Sequence, residues 1–170
     1  SFNPAFAGAE RLQYVSAFYR DQWNGLETNP KTMLFQYSGK PGFVPGGIGL
    51  SFFQDELGQE QNTVVKLAYA YHMEPDANGG ILSVGLAANY MGKTLGNEWI
   101  YIDDGDAVIP QSSKSGTTID ADLGVMYRVP GSFYAGLSTT RLAATDLQDL
   151  NVSSVRHLYL QAGYEQALGD

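Results

Sequence analysis

The sequence predicts an all-β protein, an antiparallel transmembrane β-barrel, and three observations support this fold class. Gly and Tyr are abundant, with 20 and 11 copies, while charged residues make up only 16% of the chain. This composition favours strands and turns over helices. Short segments alternate apolar with small or polar residues. The chain contains no run of about 18 apolar residues, the length that a membrane helix needs. Several segments have the length of about ten residues with which a tilted strand crosses a bilayer.

Three segments show the alternation most clearly, at residues 63–72, 81–91 and 118–128. Successive side chains of a strand point to opposite faces, so each segment has an aliphatic face and a face of Gly, Ser, Ala or charged residues. We predict that the aliphatic face contacts lipid. With two members from a later segment, the predicted lipid-facing residues are Val65, Leu67, Tyr69, Leu82, Val84, Leu86, Leu123, Val125, Leu158 and Leu160.

Five further segments repeat the pattern and bring the predicted strands to about eight. They are residues 12–20, 32–38, 47–53, 133–139 and 157–165. In the first of them the sequence leaves open which side chains belong to which face. Tyrosines recur near the predicted strand ends, as in the aromatic girdles of membrane barrels. These tyrosines are Tyr37, Tyr71, Tyr90, Tyr127 and Tyr164.

The connections between the strands predict an orientation. If the first strand runs outward from the periplasm, the longest connections all fall on the outer side. Short periplasmic turns and longer outer loops are typical of outer-membrane barrels. The predicted inner turns are residues 39–46, 73–80 and 129–132, and the predicted outer loops are residues 21–31, 54–62, 92–117 and 140–156.

A soluble antiparallel sandwich shows the same alternation. The small face would make a poor soluble core, which favours the barrel. No internal repeat or linker divides the chain, so residues 1–170 are predicted to form a single β-barrel domain. Unpaired strand edges are not tolerated in lipid, and the last residues have the composition of a turn. We therefore expect the N-terminal part of a larger barrel, incomplete at its C-terminus.

Composition and spacing predict neither an enzyme nor a cofactor. A net charge of −8 argues against nucleic acid, and the chain has no cysteine. His72 and His157 are the only histidines, and no Ser/His/Asp spacing connects them. Asp103, Asp104 and Asp106 surround a glycine in a pattern with some resemblance to a calcium loop, but the EF-hand spacing is absent. A solvated acidic loop is the preferred interpretation, so no metal site is predicted.

Charged side chains also occur on the face that we assign to the interior. Lys66, Asp120, Asp122 and Arg128 share this face. Charges inside a barrel are tolerated when they are paired or hydrated. We predict that these residues brace the interior, and that His72 takes a lumen or interfacial position at the end of its strand.

Several blocks of the sequence resemble one family. "FNPAFAG" lies near the start, and "YRDQWNG" is followed by "NPKT". "GIGLSFFQDELG", "AYAYH", "DADLGVMYR", "FYAGLS" and "RHLYLQAGY" follow in order. Together they resemble the PorP/SprF family of type IX secretion outer-membrane proteins over nearly the whole chain. The resemblance implies the bacterial outer membrane, reached after removal of an N-terminal signal peptide.

The resemblance implies a non-enzymatic component of type IX secretion and gliding motility. Such a protein supports the export or surface attachment of a secreted cargo protein, for example an adhesin. Its implied partners are outer-membrane lipid and the type IX secretion machinery, a secreted surface protein, or both. The candidate partner-binding residues are Asn3, Pro4 and Phe6 on the periplasmic side and Arg20, Trp23 and Pro30 at the outer rim.

Two alternative functions stay open on the sequence. A passive outer-membrane porin or small-solute channel would need an open polar lumen. A soluble carbohydrate-binding sandwich is suggested by Trp23, Trp99 and the tyrosine-rich strands, since aromatic rings offer large contact surfaces.

Overall fold

The structure is a computed structural model in which most of the chain is described. The described residues are 3–10, 13–23, 25, 29–73, 75–96, 113–143 and 155–165. Within them, eight antiparallel strands form one sheet in chain order, preceded by a 3-10 helix at Pro4–Phe6. The predicted all-β antiparallel fold is therefore confirmed.

Each of the eight predicted segments coincides with a strand. The strands are β1 (Tyr14–Asp21), β2 (Lys31–Gly39), β3 (Gly47–Leu57), β4 (Glu60–His72), β5 (Ile81–Leu95), β6 (Lys114–Val129), β7 (Phe133–Thr140) and β8 (His157–Tyr164). Consecutive strands pair with each other. In the described part of the chain β1 and β8 do not pair, so the sheet has two free edges.

Burial alternates along the strands in the sense opposite to that of a soluble protein. Val84 is 39% exposed, Leu123 44% and Leu160 82%. A soluble sandwich would bury these side chains against a second sheet, so the structure contradicts that alternative. We call the side of the sheet with these three residues the outer face. The opposite side, which includes the buried Ser83 and Ala87, is the inner face.

Strand pairing resolves the facing of β1. Ser16 lies opposite Gln36, and Gln36 lies opposite Ser51, a residue of the small face of β3. Residues directly opposite each other in an antiparallel pair point to the same side. Tyr14, Ser16, Phe18 and Arg20 therefore belong to the inner face, whereas Val15, Ala17 and Tyr19 belong to the outer face.

The apolar part of the outer face has a defined height. On β5 it runs from Leu82 to Tyr90, nine residues, which is about the length that a tilted strand needs to cross a bilayer. Thr117 lies opposite Gly92 beyond this band, where the outer face has lost its large apolar side chains. The prediction that Tyr90 marks a strand end is wrong, because β5 continues to Leu95.

One predicted outer loop, residues 54–62, is also wrong. β3 and β4 stay paired through this region and are joined by a turn of two residues, since β3 ends at Leu57 and β4 begins at Glu60. Gly58 adopts the left-handed conformation in this turn, with φ of 61°. Polar side chains on both faces removed the apolar alternation that marks a strand, so the sequence pattern ended too early.

The three inner turns lie where they were predicted, and one of them is held by a carboxylate. Tyr127 donates a hydrogen bond from its hydroxyl to Asp76 Oδ2 at 2.8 Å. The backbone amides of Asn78 and Gly80 donate to Asp76 Oδ1 at 2.8 and 2.9 Å. These bonds, above all the one from Tyr127, lower the pKa of Asp76, since they stabilise the charged form.

Candidate functional site: the N-terminal segment on the inner face

The inner face is covered by the start of the chain. Residues 3–9, called the N-terminal segment below, contain the 3-10 helix and cross the sheet from β2 to β7. Asn3 caps the helix, since its Oδ1 accepts a hydrogen bond from the amide of Ala5 at 2.9 Å. Pro4 suits the first helical position, where no amide donor is needed. The local sequence thus encodes a compact turn instead of a strand.

Glycines of the sheet make room for this segment. A Cβ atom added to Gly47 of β3 would overlap the carbonyl of Ala7, and one added to Gly85 of β5 would overlap the backbone nitrogen of Ala5. Gly124 of β6 is in equally close contact with the beginning of the segment. Any larger residue at these positions would force the backbones apart. The inner face is therefore shaped as a trough for residues 3–9.

Polar contacts join both ends of the segment to the strands. At one end, Asn3 Nδ2 donates to the carbonyl of Val125 at 3.2 Å and lies 3.5 Å from the carbonyl of Leu137. At the other end, the amide of Gly8 donates to Ser38 Oγ at 2.9 Å. Buried donors and acceptors of the segment are thereby satisfied by β2, β6 and β7.

Two basic side chains bind carbonyls of the segment. His72 Nε2 lies 3.0 Å from the carbonyl of Ala7, and its Nδ1 lies 2.8 Å from Ser83 Oγ. Since a carbonyl only accepts, Nε2 carries the proton and Nδ1 of the neutral ring accepts from the serine. Arg128 Nη2 donates to the carbonyl of Ala9. His72 therefore takes the lumen position that its place in the sequence predicts.

Small side chains and one aromatic pair complete the packing. The ring of Phe6 meets the ring of Tyr134 edge-on, with centroids 5.4 Å apart and planes at 90°, a favourable arrangement for two aromatic rings. The remaining contacts join alanines of the segment to alanines of the sheet and to one methionine. The buried apolar residues are Ala5, Ala7, Ala9, Ala68, Ala70, Ala87 and Met126.

The charged residues of the inner face brace the region next to the segment. Lys66 Nζ and Asp122 Oδ2 are 2.6 Å apart, an ion pair between β4 and β6. Asp122 Oδ1 also accepts from the amide of Arg141 at 3.2 Å, and Asp120 accepts from the amide of Ala143 at 3.0 Å. These contacts agree with the predicted bracing role, and they also hold the chain where it leaves β7.

A cavity remains beside the N-terminal segment, on the side of β1 to β4. Its volume is about 230 Å³, and its lining includes Pro4, Phe6, Ser38, Gly49 and Ser51. A space of this size holds several water molecules. The segment therefore fills the inner face over β5 to β7 and leaves a partly open region toward the free edge of β1.

The structure brings together the three residues predicted to contact a periplasmic partner, but it encloses them. Asn3 is 0% exposed, Pro4 is buried and Phe6 is partly buried, all against the inner face of their own sheet. A partner reaches Asn3 and Pro4 only if the segment leaves the trough. The Asn-Pro pair before a run of small residues was the available signal for a capped turn.

The three candidates for the outer rim lie in the connection that follows the end of β1 and precedes the start of β2, or at its edge. Arg20 and Trp23 are exposed, and Pro30 is partly buried. The carbonyl of Pro30 accepts a hydrogen bond from the amide of Gln22 at 3.0 Å, which extends the ladder between the two strands. Trp23 has φ of 55°, an uncommon value for a residue other than glycine. The structure thus presents Trp23 on the surface of this connection.

Some residues singled out in the sequence lie outside the described part of the chain. They are Trp99, Asp103, Asp104 and Asp106. Among the residues that are described, no group of three or more His, Asp or Glu side chains is placed to hold a metal ion. Nor does any helix in the described ranges have the length and apolar character needed to cross a membrane.

Large apolar side chains on the outer face and small or polar ones on the inner face are typical of the β-barrel class of outer-membrane proteins, in some of which part of the chain plugs the interior. The fold places this protein in that class. Residues 1–169 match the family described as "Type IX secretion system membrane protein PorP/SprF". The chain belongs to this family and is a membrane component of the type IX secretion system, associated with its machinery. The comparisons find no curated protein and no solved structure that matches the chain.

Proposed function

We propose that the protein is a non-enzymatic component of type IX secretion in the bacterial outer membrane. In this role it supports the export, or the attachment at the cell surface, of a secreted cargo protein such as a gliding adhesin. Membership of the PorP/SprF family supports the secretion role. The structural observation that carries the proposal is the N-terminal segment: an inner face occupied by the protein's own chain suits an anchored scaffold better than an open channel.

The outer face supplies the anchor. Leu82, Leu86 and Tyr90 are exposed within the nine-residue apolar band of β5. In water such a surface would drive aggregation, whereas in a bilayer it contacts acyl chains. With lipid around the wall and a polypeptide across the inner face, the surfaces left for protein partners are the two rims.

A passive porin is the second candidate, and one observation favours it. The cavity of about 230 Å³ beside the N-terminal segment is a possible starting point for a solute path. The segment itself opposes this function, because it crosses the inner face and is hydrogen-bonded at both ends. The two candidates therefore differ in whether residues 3–9 must move for the protein to work.

A disulfide would fix the segment in place. A Cβ atom at Gly49 would lie 3.4 Å from the Cβ of Ala7, close to the spacing of about 3.8 Å in disulfides. The chain has no cysteine of its own, so an Ala7→Cys/Gly49→Cys variant has one possible bridge. We expect the oxidised variant to secrete cargo as the wild type does and to show no conductance in planar bilayers. The single-cysteine variants and the reduced double variant are the controls.

Three results together would favour the porin. The wild type would conduct steadily, the conductance of the double variant would vanish on oxidation, and cells lacking the gene would show no cargo defect. The scaffold predicts the reverse. Cells without the protein retain cargo in the periplasm or lose it from the surface, as measured by immunolabelling of intact cells, and the locked variant restores the surface signal.

A further inference from the structure

Basic side chains converge where the N-terminal segment leaves the trough. Lys40 directly follows Gly39 in the turn after β2, and the backbone of Gly39 is in close contact with Gly8 of the segment. His72 ends β4, and Arg128 lies near the end of β6. We call Lys40, His72 and Arg128 the basic collar. Lys40 and Arg128 are the two cations of the collar, whereas His72 has a neutral ring that makes polar contacts. These two cations belong to a chain with a net charge of −8, so their convergence runs against the overall charge.

The collar has no anionic partner in the part of the protein that is described. The ion pairs found there join Lys66 to Asp122 and Lys93 to Glu60, and neither involves the collar. Arg128 uses one guanidinium nitrogen to bind the segment, but its Nε atom is buried and has no hydrogen-bond partner among these residues. A buried donor without an acceptor is costly. The Arg128 residue as a whole is only partly buried, and a carboxylate bound at its exposed part would be attracted to the positive charge of the guanidinium.

Electrostatics points in the same direction. The side chain of Lys40 is exposed. Its pKa is nevertheless lowered, first by partial desolvation and then by the positive charge of Arg128. Lys40 and Arg128 are therefore near enough for their positive charges to interact, and an anion bound between them would be attracted to both.

Three described acidic residues lie near this end of the sheet. Asp76 already accepts bonds from Tyr127 and from two turn amides, and Glu165 accepts from the amide of Gly131. Glu10 is exposed next to Ala9, and the ion pairs of the described residues do not include it.

The position of the collar distinguishes a polypeptide from a lipid headgroup. His72 lies opposite the buried Ser83, and both side chains point to the inner face. Arg128 lies two residues from Met126, whose side chain is buried on the same face. The collar therefore opens toward the inner mouth of the barrel, whereas lipid contacts the outer face.

We propose that the basic collar binds an acidic segment of a periplasmic protein through the carboxylates of that segment. The periplasmic location of the partner rests on the proposed function, whereas the binding chemistry does not. An acidic strand or tail at the inner mouth would lie beside the exit of the N-terminal segment, at Ala9. The collar is then the surface at which the periplasmic secretion machinery docks on this protein.

The test uses the full chain in a neutral detergent at low ionic strength, with fluorescent hexaglutamate as the probe and anisotropy as the measurement. We expect the wild type to bind the peptide. Lys40→Gln/Arg128→Gln should raise Kd by about fivefold for each charge removed, the effect of roughly one ion pair. Lys114→Gln removes one charge at the other end of β6, as Lys40→Gln does in the collar, and should leave Kd unchanged. Raising the salt to about 0.15 M should weaken binding.

Lys40→Gln alone guards against an indirect effect, because Lys40 makes no described bond to the N-terminal segment whereas Arg128 does. Equal binding by the wild type and the double variant would overturn the proposal. So would competition in which vesicles of anionic phospholipid, but not neutral ones, displace the peptide. If the collar binds hexaglutamate while deletion of the gene leaves surface cargo intact, the secretion role fails and the collar stands.

Discussion

The two faces of the sheet differ in which apolar side chains they bury: the outer face exposes large ones, and the inner face buries small ones. On the outer face, Leu86 is 55% exposed, while its neighbour in the chain, Ala87, is 2% exposed on the inner face. In a soluble protein the larger apolar side chain would be the buried one. The large apolar side chains of the outer face therefore do not pack in a core of the protein's own residues. The inner face gains its packing from the chain's own beginning.

The comparison also separates two ways of specifying a surface. The outer face needs only a large apolar residue at every second position, and many such residues are interchangeable there. The inner face needs glycine at particular positions, such as Gly85 beside Ala5, because backbone meets backbone. We therefore expect the outer face to be sensitive to charge and the inner face to be sensitive to volume.

The largest effect is expected for a charge in the middle of the outer face. Leu86→Arg should lower the free energy of unfolding by about 2–4 kcal/mol, the cost of an arginine near the bilayer midplane. Thr117→Arg lies beyond the apolar band on the same face and should cost about 0–1 kcal/mol. Urea unfolding in lipid vesicles measures both values. Equal costs for the two variants would contradict a lipid contact for Leu86.

A smaller effect is expected for one added methyl group on the inner face. Gly85→Ala places a Cβ against the backbone of Ala5 and should cost about 1–3 kcal/mol, as overpacking does. The matched control is Gly92→Ala, whose Cβ would have its nearest contact at 3.4 Å, the flexible end of the Tyr90 side chain. Unfolding by urea is again the measurement. If both variants behave alike, the trough does not require glycine at Gly85.

The smallest effect concerns an inner turn that belongs to neither face. Hydrogen bonds lower the pKa of Asp76 in the folded protein, so their stabilising contribution is present above the unfolded pKa, about 3.9. This contribution is lost as the pH falls through the lower, folded pKa. Tyr127→Phe removes the main donor and should move the pKa of Asp76 upward, toward its ordinary value. A carboxyl NMR titration measures this shift, and an unchanged midpoint would rule out the bond.

Much of the sheet could be predicted because the side chains of a strand alternate between two faces with a period of two residues. The alternation in residues 81–91 separates Leu82 and Val84 from Ser83 and Gly85 without any knowledge of neighbouring strands. The prediction failed where this pattern faded, at residues 54–62, because a strand outside the apolar band carries polar residues on both faces. It was silent for β1, whose facing follows from its pairing with β2.

The candidate site was less accessible to sequence reasoning. The interior position of Lys66 and Asp122 follows from alternation, but their pairing at 2.6 Å depends on the register of three strands. The N-terminal segment could be recognised as a capped turn, yet its location could not. Its trough is made by glycines from strands far apart in the chain, and no local pattern links them.

Local chemistry is sufficient to locate the eight strands and, on all of them except β1, to separate the two unlike faces over the apolar band, since this alternation depends on residues close together in the chain. The occupation of the inner face by residues 3–9 and the convergence of Lys40, His72 and Arg128 arise only on folding. Both depend on contacts between residues thirty or more positions apart, and such contacts follow from strand order and register. The physical reason is that side-chain alternation is a property of one strand, whereas a trough or a charged collar is a property of several strands held together.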